Sequence, residues 1–118
     1  MPYFTNAIKV EWPEGEPRKM RLLETVEFMD KNLTRWIAPA GSIIDGASIP
    51  RFFWRATGSP FVGHYRRASV IHDVYCVKKT KPYRQVHRMF EEAMEADGVP
   101  NWKRKLMAIA VQWFGPRW

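Results

Sequence analysis

The chain has 118 residues, 46% of them apolar, and its 19 Lys and Arg against 12 Asp and Glu give a formal net charge of +7. Six Trp, seven Phe and four Tyr supply enough apolar surface for one folded domain, which excludes an intrinsically disordered chain. No apolar run reaches the roughly 20 residues that cross a bilayer, and the single cysteine excludes a disulfide framework and a multi-cysteine zinc site.

Short strands are predicted for the first part of the chain. Alternating or apolar runs occupy residues 7–12, 20–28, 33–37 and 42–44. Proline and glycine supply turn signals between several of these runs. Three or four strands joined by tight turns predict a small antiparallel sheet or meander.

Helices are predicted for the second part. Ala68, Ile71 and Tyr75 follow one another at spacings of three and four residues, which predicts a helix over about 62–77 with one buried face. Pro82 suits the first turn of a second helix, which we expect to end near residues 97–98 at a glycine.

A third helix is predicted from Asn101, as its N-cap, to the Gly115-Pro116 pair. Strands followed by helices indicate an α+β domain, with three helices packed on the sheet. We therefore predict a single domain over 1–118, mainly strands over 1–44, a polar loop over 45–61 and mainly helices over 62–118.

The loop places small residues around an acid and a hydroxyl, namely Asp45, Gly46 and Ser48. One interpretation is a local Asx turn followed by a short helical turn. The other is that the loop presents polar atoms to a site. The sequence leaves both interpretations open.

His72 and Asp73 stand next to each other on the buried side of the first predicted helix. A buried imidazole needs hydrogen-bond partners, and a buried carboxylate is costlier still without one. We expect Asp45 to be the partner of His72. The pair then either ties the loop to the helix or forms a catalytic group, with His72, Asp73 and Asp45 as the catalytic residues.

A divalent metal is an open alternative, and no cofactor is assigned. The predicted ligands are Asp45, Asp73 and His87, with Glu91 one turn after His87 on the same helix. No short ligand spacing supports this set, so the prediction depends on the three side chains converging in the fold.

Several motifs occur in a fixed order over residues 33 to 118: Pro39–Gly41, Asp45–Arg51, Trp54, Tyr65–Ala68, His72–Tyr75, Met94 and Trp113–Gly115. This series resembles the domain of unknown function 1353 family, which is common in tailed-phage and prophage genomes. The resemblance implies a phage-encoded protein from the late structural and lysis region, and it implies no established activity. It also implies an acid near the position at which this chain carries His87.

We therefore expect a non-enzymatic virion component of the tail, baseplate or capsid that binds other phage proteins. It would be synthesised in the host cytoplasm, since the N-terminus lacks the features of a secretory signal. The predicted binding residues are Arg51, Trp54, Tyr75 and Trp118.

The alternative function is a small metal-dependent hydrolase that acts on a phosphoester, lipid or cell-wall bond, with His72 as general base. A nucleic-acid partner is less favoured, because the basic residues are dispersed and no nucleic-acid-binding motif accompanies them. The C-terminal tryptophans have two interpretations. Trp102, Trp113 and Trp118 form an exposed apolar anchor, or Trp102 and Trp113 belong to the core and Trp118 is a frayed end.

Overall fold

The computed structural model describes residues 3–5, 9–11, 19–44 and 66–118. The predicted loop over 45–61 lies outside these residues, and so do the predicted site residues Asp45, Arg51 and Trp54. The expected contact between Asp45 and His72 therefore also lies outside the described part of the chain.

The described strands are β1 (Tyr3–Phe4), β2 (Val10–Glu11), β3 (Met20–Leu22), β4 (Val26–Met29), β5 (Arg35–Ala38) and β6 (Ile43–Ile44). The described helices are α1 (Arg66–Lys78), α2 (Tyr83–Ala96) and α3 (Asn101–Phe114). Strands first and helices second confirm the predicted α+β class.

The strands form two small antiparallel sheets, ordered β1-β4-β5 and β2-β3-β6. The run predicted over 20–28 is divided between them, because the chain leaves one sheet after Leu22 and enters the other at Val26. Met20, Leu22, Val26 and Phe28 are all buried. Both strands bury their even-numbered residues, so the alternation has the same phase on either side of the break. The sequence pattern therefore does not reveal where the chain changes sheets.

Helix α1 is the centre of the molecule. Every residue from Ala68 to Cys76 is buried, because α1 contacts β4, β5 and β6 on one side and α2 on the other. The prediction of a single buried face is wrong for this reason. The burial also encloses polar side chains, among them His72 and Asp73.

Helices α2 and α3 each begin directly after a proline. Pro82 and Pro100 occupy the N-cap positions, and neither helix has a side-chain cap hydrogen bond. Asn101, predicted as an N-cap, is the first helical residue instead. Gly98 has a φ of 76°, a conformation that favours glycine, and it follows the end of α2 as predicted.

A hydrogen-bonded connection fixes α1 against the first sheet. The Tyr75 hydroxyl accepts the backbone N–H of Ile37 at 2.9 Å, and its ring packs edge-on to Trp36 with centroids 4.8 Å apart. The Trp36 indole N–H in turn donates to Oδ2 of Asp30 at 3.0 Å. This connection sets the position of α1, and with it the position of His72 three residues before Tyr75.

Candidate functional site

Two buried histidines meet where α1 crosses α2. Nε2 of His72 lies 2.8 Å from Nδ1 of His87. His72 has no solvent exposure and stacks on the ring of Phe90, with centroids 4.5 Å apart. The two histidine rings therefore form one contact between the helices, in which His72 is fully enclosed and His87 borders the surface.

The backbone carbonyl of Pro116 determines which nitrogens carry protons. It lies 3.0 Å from Nε2 of His87, and a carbonyl oxygen can only accept, so Nε2–H of His87 donates. Nδ1 of the neutral His87 ring is then an acceptor, and Nε2–H of His72 donates to it. His72 therefore donates to His87, and His87 donates to the carbonyl of Pro116.

Electrostatics keep both rings neutral. Burial lowers the pKa of His72 well below its usual value, and the neighbouring His87 lowers this pKa further. Burial also lowers the pKa of His87; the hydrogen bond to Pro116 opposes the shift, and the charge of Arg117 adds to it. At neutral pH both imidazoles are therefore uncharged, which is the form that the tautomer assignment requires.

Cys76 completes what we call the imidazole–thiol cluster, formed by His72, Cys76 and His87. Its Sγ lies 3.8 Å from Nδ1 and 3.7 Å from Nε2 of His72, one helical turn earlier. Burial raises the pKa of this thiol to about 12, and the nearby charge of Asp73 contributes to the rise. The sulfur therefore carries its proton at neutral pH.

The predicted site residues are only partly gathered here. Asp73 is buried on α1, but its carboxylate is not one of the groups that converge in the cluster. Tyr75 lies in the connection to β5. Trp118 is half-buried; its indole N–H donates to the Lys81 carbonyl at 2.8 Å, and its ring lies edge-on to that of His87.

Cys76 is the member of the cluster that is not among the site residues predicted from the sequence. The available signal was its spacing of four residues from His72 on a predicted helix, which places both side chains on one face. No local signal in the sequence indicates that His87, on a second helix, lies beside these two residues.

A groove of about 490 Å³ opens beside His87, between α2 and α3. We call it the α2–α3 groove, and its lining comprises Tyr83, Arg84, His87, Arg88, Glu91, Gln112, Trp113 and Arg117. Three guanidinium groups and two large aromatic rings thus surround a single carboxylate. This composition suits an anionic group that also offers apolar surface.

The outer side of α3 carries large apolar side chains. Trp102 is 64% exposed, Ile109 49% and Trp113 70%, and the half-buried Leu106 lies between the first two. The spacings of four, three and four residues place these four on one stripe, which we call the α3 face. Trp113 belongs both to this face and to the groove.

None of the helices that the structure describes combines the length and the hydropathy of a membrane-spanning segment.

Comparison with known proteins yields relatives without an assigned activity. The chain is 41% identical over 116 residues to the uncharacterized protein y4jT of Sinorhizobium fredii, a match that covers 98% of this chain and 34% of that protein. It is 41% identical over 115 residues to the uncharacterized protein y4iH of the same organism, covering 98% of this chain and 48% of that protein. The chain therefore spans less than half the length of each of these relatives.

No solved structure matches the chain. The family model described as "Protein of unknown function (DUF1353)" matches residues 20–111, from the first residue of β3 to the last turn of α3. That range includes the connection through Tyr75 and the whole imidazole–thiol cluster. The chain belongs to the DUF1353 family.

Proposed function

We propose that this domain is a non-enzymatic binding module, and that its α3 face binds an acidic amphipathic helix of a partner protein. The observation that carries the proposal is the row of exposed apolar side chains from Trp102 to Trp113. Contiguous apolar surface of this kind, with polar residues around it, is typical of protein interaction sites.

The residue types support a binding role. Tryptophan is among the residues that contribute most to binding energy at protein interfaces. The spacing of the α3 face is that of the anchors in helix–helix recognition. The 11 steps from Trp102 to Trp113, at about 1.5 Å each, make the stripe about 16.5 Å long. A partner helix of three turns would cover it.

Charge favours an acidic partner. Helix α3 contains Lys103, Arg104 and Lys105 and no acidic residue. The adjoining groove adds the guanidinium groups of Arg84, Arg88 and Arg117 against Glu91 alone. A second copy of the chain would bring like charges together, whereas a helix that carries Glu or Asp beside its apolar stripe would complement them.

The relatives are compatible with a module. In y4jT and y4iH the matching segment is joined to further sequence that makes up more than half of each protein. A unit that occurs within longer chains is suited to recognising a partner.

The hydrolase alternative has less support from the geometry. Its proposed base, His72, has no solvent exposure, and general-base catalysis requires contact with a substrate or water. Its proposed ligand Asp73 is not part of the group of converging side chains. We therefore propose binding rather than catalysis.

The test uses a synthetic amphipathic peptide with leucines at helical spacing and glutamates on the remaining positions. We expect the protein to bind it, and Ile109→Glu to weaken binding at least about tenfold, or about 1.4 kcal/mol, by placing a charge in the apolar stripe. Isothermal titration calorimetry measures both affinities. Binding should also weaken as salt is added, because Lys105 on α3 and the three arginines of the adjoining groove are exposed.

The matched control is Ile43→Glu, since Ile43 is 44% exposed but lies on β6. It should bind the peptide as the unchanged protein does. Equal losses in both variants, or no binding of the glutamate peptide, would contradict the proposal. A dimer that Ile109→Glu dissociates would assign the face to a second copy. Stronger binding to phosphatidylglycerol vesicles than to the peptide would assign it to a membrane surface.

The setting that we propose for this module is a phage particle, where the partner is another virion protein of the tail, baseplate or capsid. This part rests on the family resemblance of the motifs. Mass spectrometry of purified virions is expected to detect the protein, and its consistent absence from them would remove the virion setting while leaving the α3 face to be tested separately.

A further inference from the structure

The imidazole–thiol cluster gathers three potential metal ligands. If each residue offers one ligand atom, the three atoms lie within 4.8 Å of one another, and all three residues are buried. His72 and Cys76 come from successive turns of α1, and His87 comes from α2. We propose that this cluster is a binding site for a thiophilic divalent ion, zinc in the first instance.

Two of the distances between the ligand atoms are near those of a tetrahedral zinc site, and all three lie within 4.8 Å. Zinc–sulfur and zinc–nitrogen bonds of about 2.3 and 2.05 Å place sulfur about 3.6 Å from nitrogen and the two nitrogens about 3.3 Å apart. In the structure Sγ of Cys76 is 3.7 Å from Nε2 of His72. The two imidazole nitrogens are 2.8 Å apart, so they must separate by about 0.5 Å when zinc binds. The ring proton of His72 then moves from Nε2 to Nδ1, and the Cys76 thiol releases its proton to solvent.

The hydrogen bond between His87 and Pro116 is of the kind that metal-bound histidines make. A ligating imidazole usually donates its other N–H to a carboxylate or a backbone carbonyl, which fixes the ring and its tautomer. Nε2 of His87 already donates to the Pro116 carbonyl at 3.0 Å. Nδ1 of His87 is thereby left as the coordinating atom, directed at His72.

Charge balance also favours an ion. A thiolate without a partner is costly in this interior, and a divalent cation would offset that cost because coordination removes the proton from sulfur.

The ligand types select among metals. Imidazole and thiolate suit zinc and other transition ions, whereas calcium and magnesium require oxygen ligands. The set differs from the one predicted from the sequence: His87 is shared, but His72 and Cys76 stand where carboxylates were expected. Three protein ligands leave a fourth coordination position to be filled by water or another group.

The experiment titrates tag-free, chelator-treated protein with Co²⁺, a spectroscopic substitute for zinc, and then with Zn²⁺. We expect one equivalent to bind, with the visible bands of tetrahedral cobalt and a thiolate-to-cobalt absorption in the near ultraviolet that zinc abolishes. Zinc should raise the thermal unfolding midpoint, and equal concentrations of Mg²⁺ or Ca²⁺ should leave it unchanged.

Variants locate the site. Cys76→Ser should lose the thiolate absorption and at least about tenfold in zinc affinity, while Ser69→Ala, a buried change on α1 outside the cluster, should keep both. Absence of stoichiometric binding in the unchanged protein, cobalt binding without the thiolate band, or equal losses in both variants would overturn the proposal. These outcomes do not depend on the α3 face, which is tested by peptide binding.

Discussion

Replacing Asp30 by alanine is expected to lower the free energy of unfolding by about 3 kcal/mol, because it leaves several donors without their charged acceptor. Oδ1 of Asp30 accepts the backbone N–H groups of Asn32 and Thr34, each at 2.9 Å, and Oδ2 accepts the buried Trp36 indole at 3.0 Å. Trp36 is 1% exposed, so water does not replace the lost partner. Urea unfolding, followed by tryptophan fluorescence, measures the change.

Two further variants establish the cause. Asp30→Asn keeps an oxygen for the two backbone donors and loses the acceptor for the indole, so we expect an intermediate loss of about 1–2 kcal/mol. Glu24→Ala removes an acid whose exposed ion pair with Lys9 should contribute less than about 1 kcal/mol. If Asp30→Ala costs no more than Glu24→Ala, the hydrogen-bonded connection does not stabilise the fold.

The second large effect is a loss of stability in acid. In the metal-free protein, burial lowers the pKa of both His72 and His87 below the ordinary value of 6.5. Below pH 6.5 the unfolded chain binds protons that the folded chain does not, so the free energy of unfolding falls as the pH falls. The slope approaches about 1.4 kcal/mol per pH unit for each histidine that stays uncharged in the folded state. Urea unfolding at pH values from 7.5 to 5, with a chelator present, measures it.

Substitution separates the two contributions. His72→Gln and His87→Gln each remove one titrating group, so each variant should show a shallower dependence of unfolding free energy on pH, even if its stability at pH 7.5 is lower. The prediction fails if the unchanged protein is equally stable at pH 7 and pH 5. It also fails if both variants retain the full slope.

The sequence allowed the helices to be placed closely, because spacing, prolines and glycines are local signals. The start of α2 after Pro82 and its end near Gly98 follow from such signals. The burial of α1 on all sides was not predictable in the same way. It depends on two layers meeting around one helix, and these layers are assembled from distant parts of the chain.

Helix α3 shows a second kind of limit. Met107, Ala110 and Val111 form its buried side, while Trp102, Ile109 and Trp113 face solvent. Both sets have helical spacing and both are apolar, so periodicity alone cannot say which one packs on α2. The sequence therefore leaves open whether these tryptophans are exposed or buried. In the structure Trp102 and Trp113 are both exposed.

The candidate site was predictable only in part. His72 and His87 were selected as polar residues on predicted helices, but their contact depends on where α1 crosses α2. Cys76 has no predicted role, although only four residues separate it from His72. The metal ligands predicted from the sequence are mostly carboxylates, since no local pattern indicates that a thiol and two imidazoles come together.

The central claim is that the α3 face is a binding surface, and the most direct measurement of it is NMR of the tryptophan indole N–H groups during titration with the glutamate peptide. We predict that the Trp102 and Trp113 signals shift until the site is saturated, while the Trp36 signal, from an indole buried against Asp30, does not. Stationary Trp102 and Trp113 signals at peptide concentrations that saturate the calorimetric titration would contradict the claim.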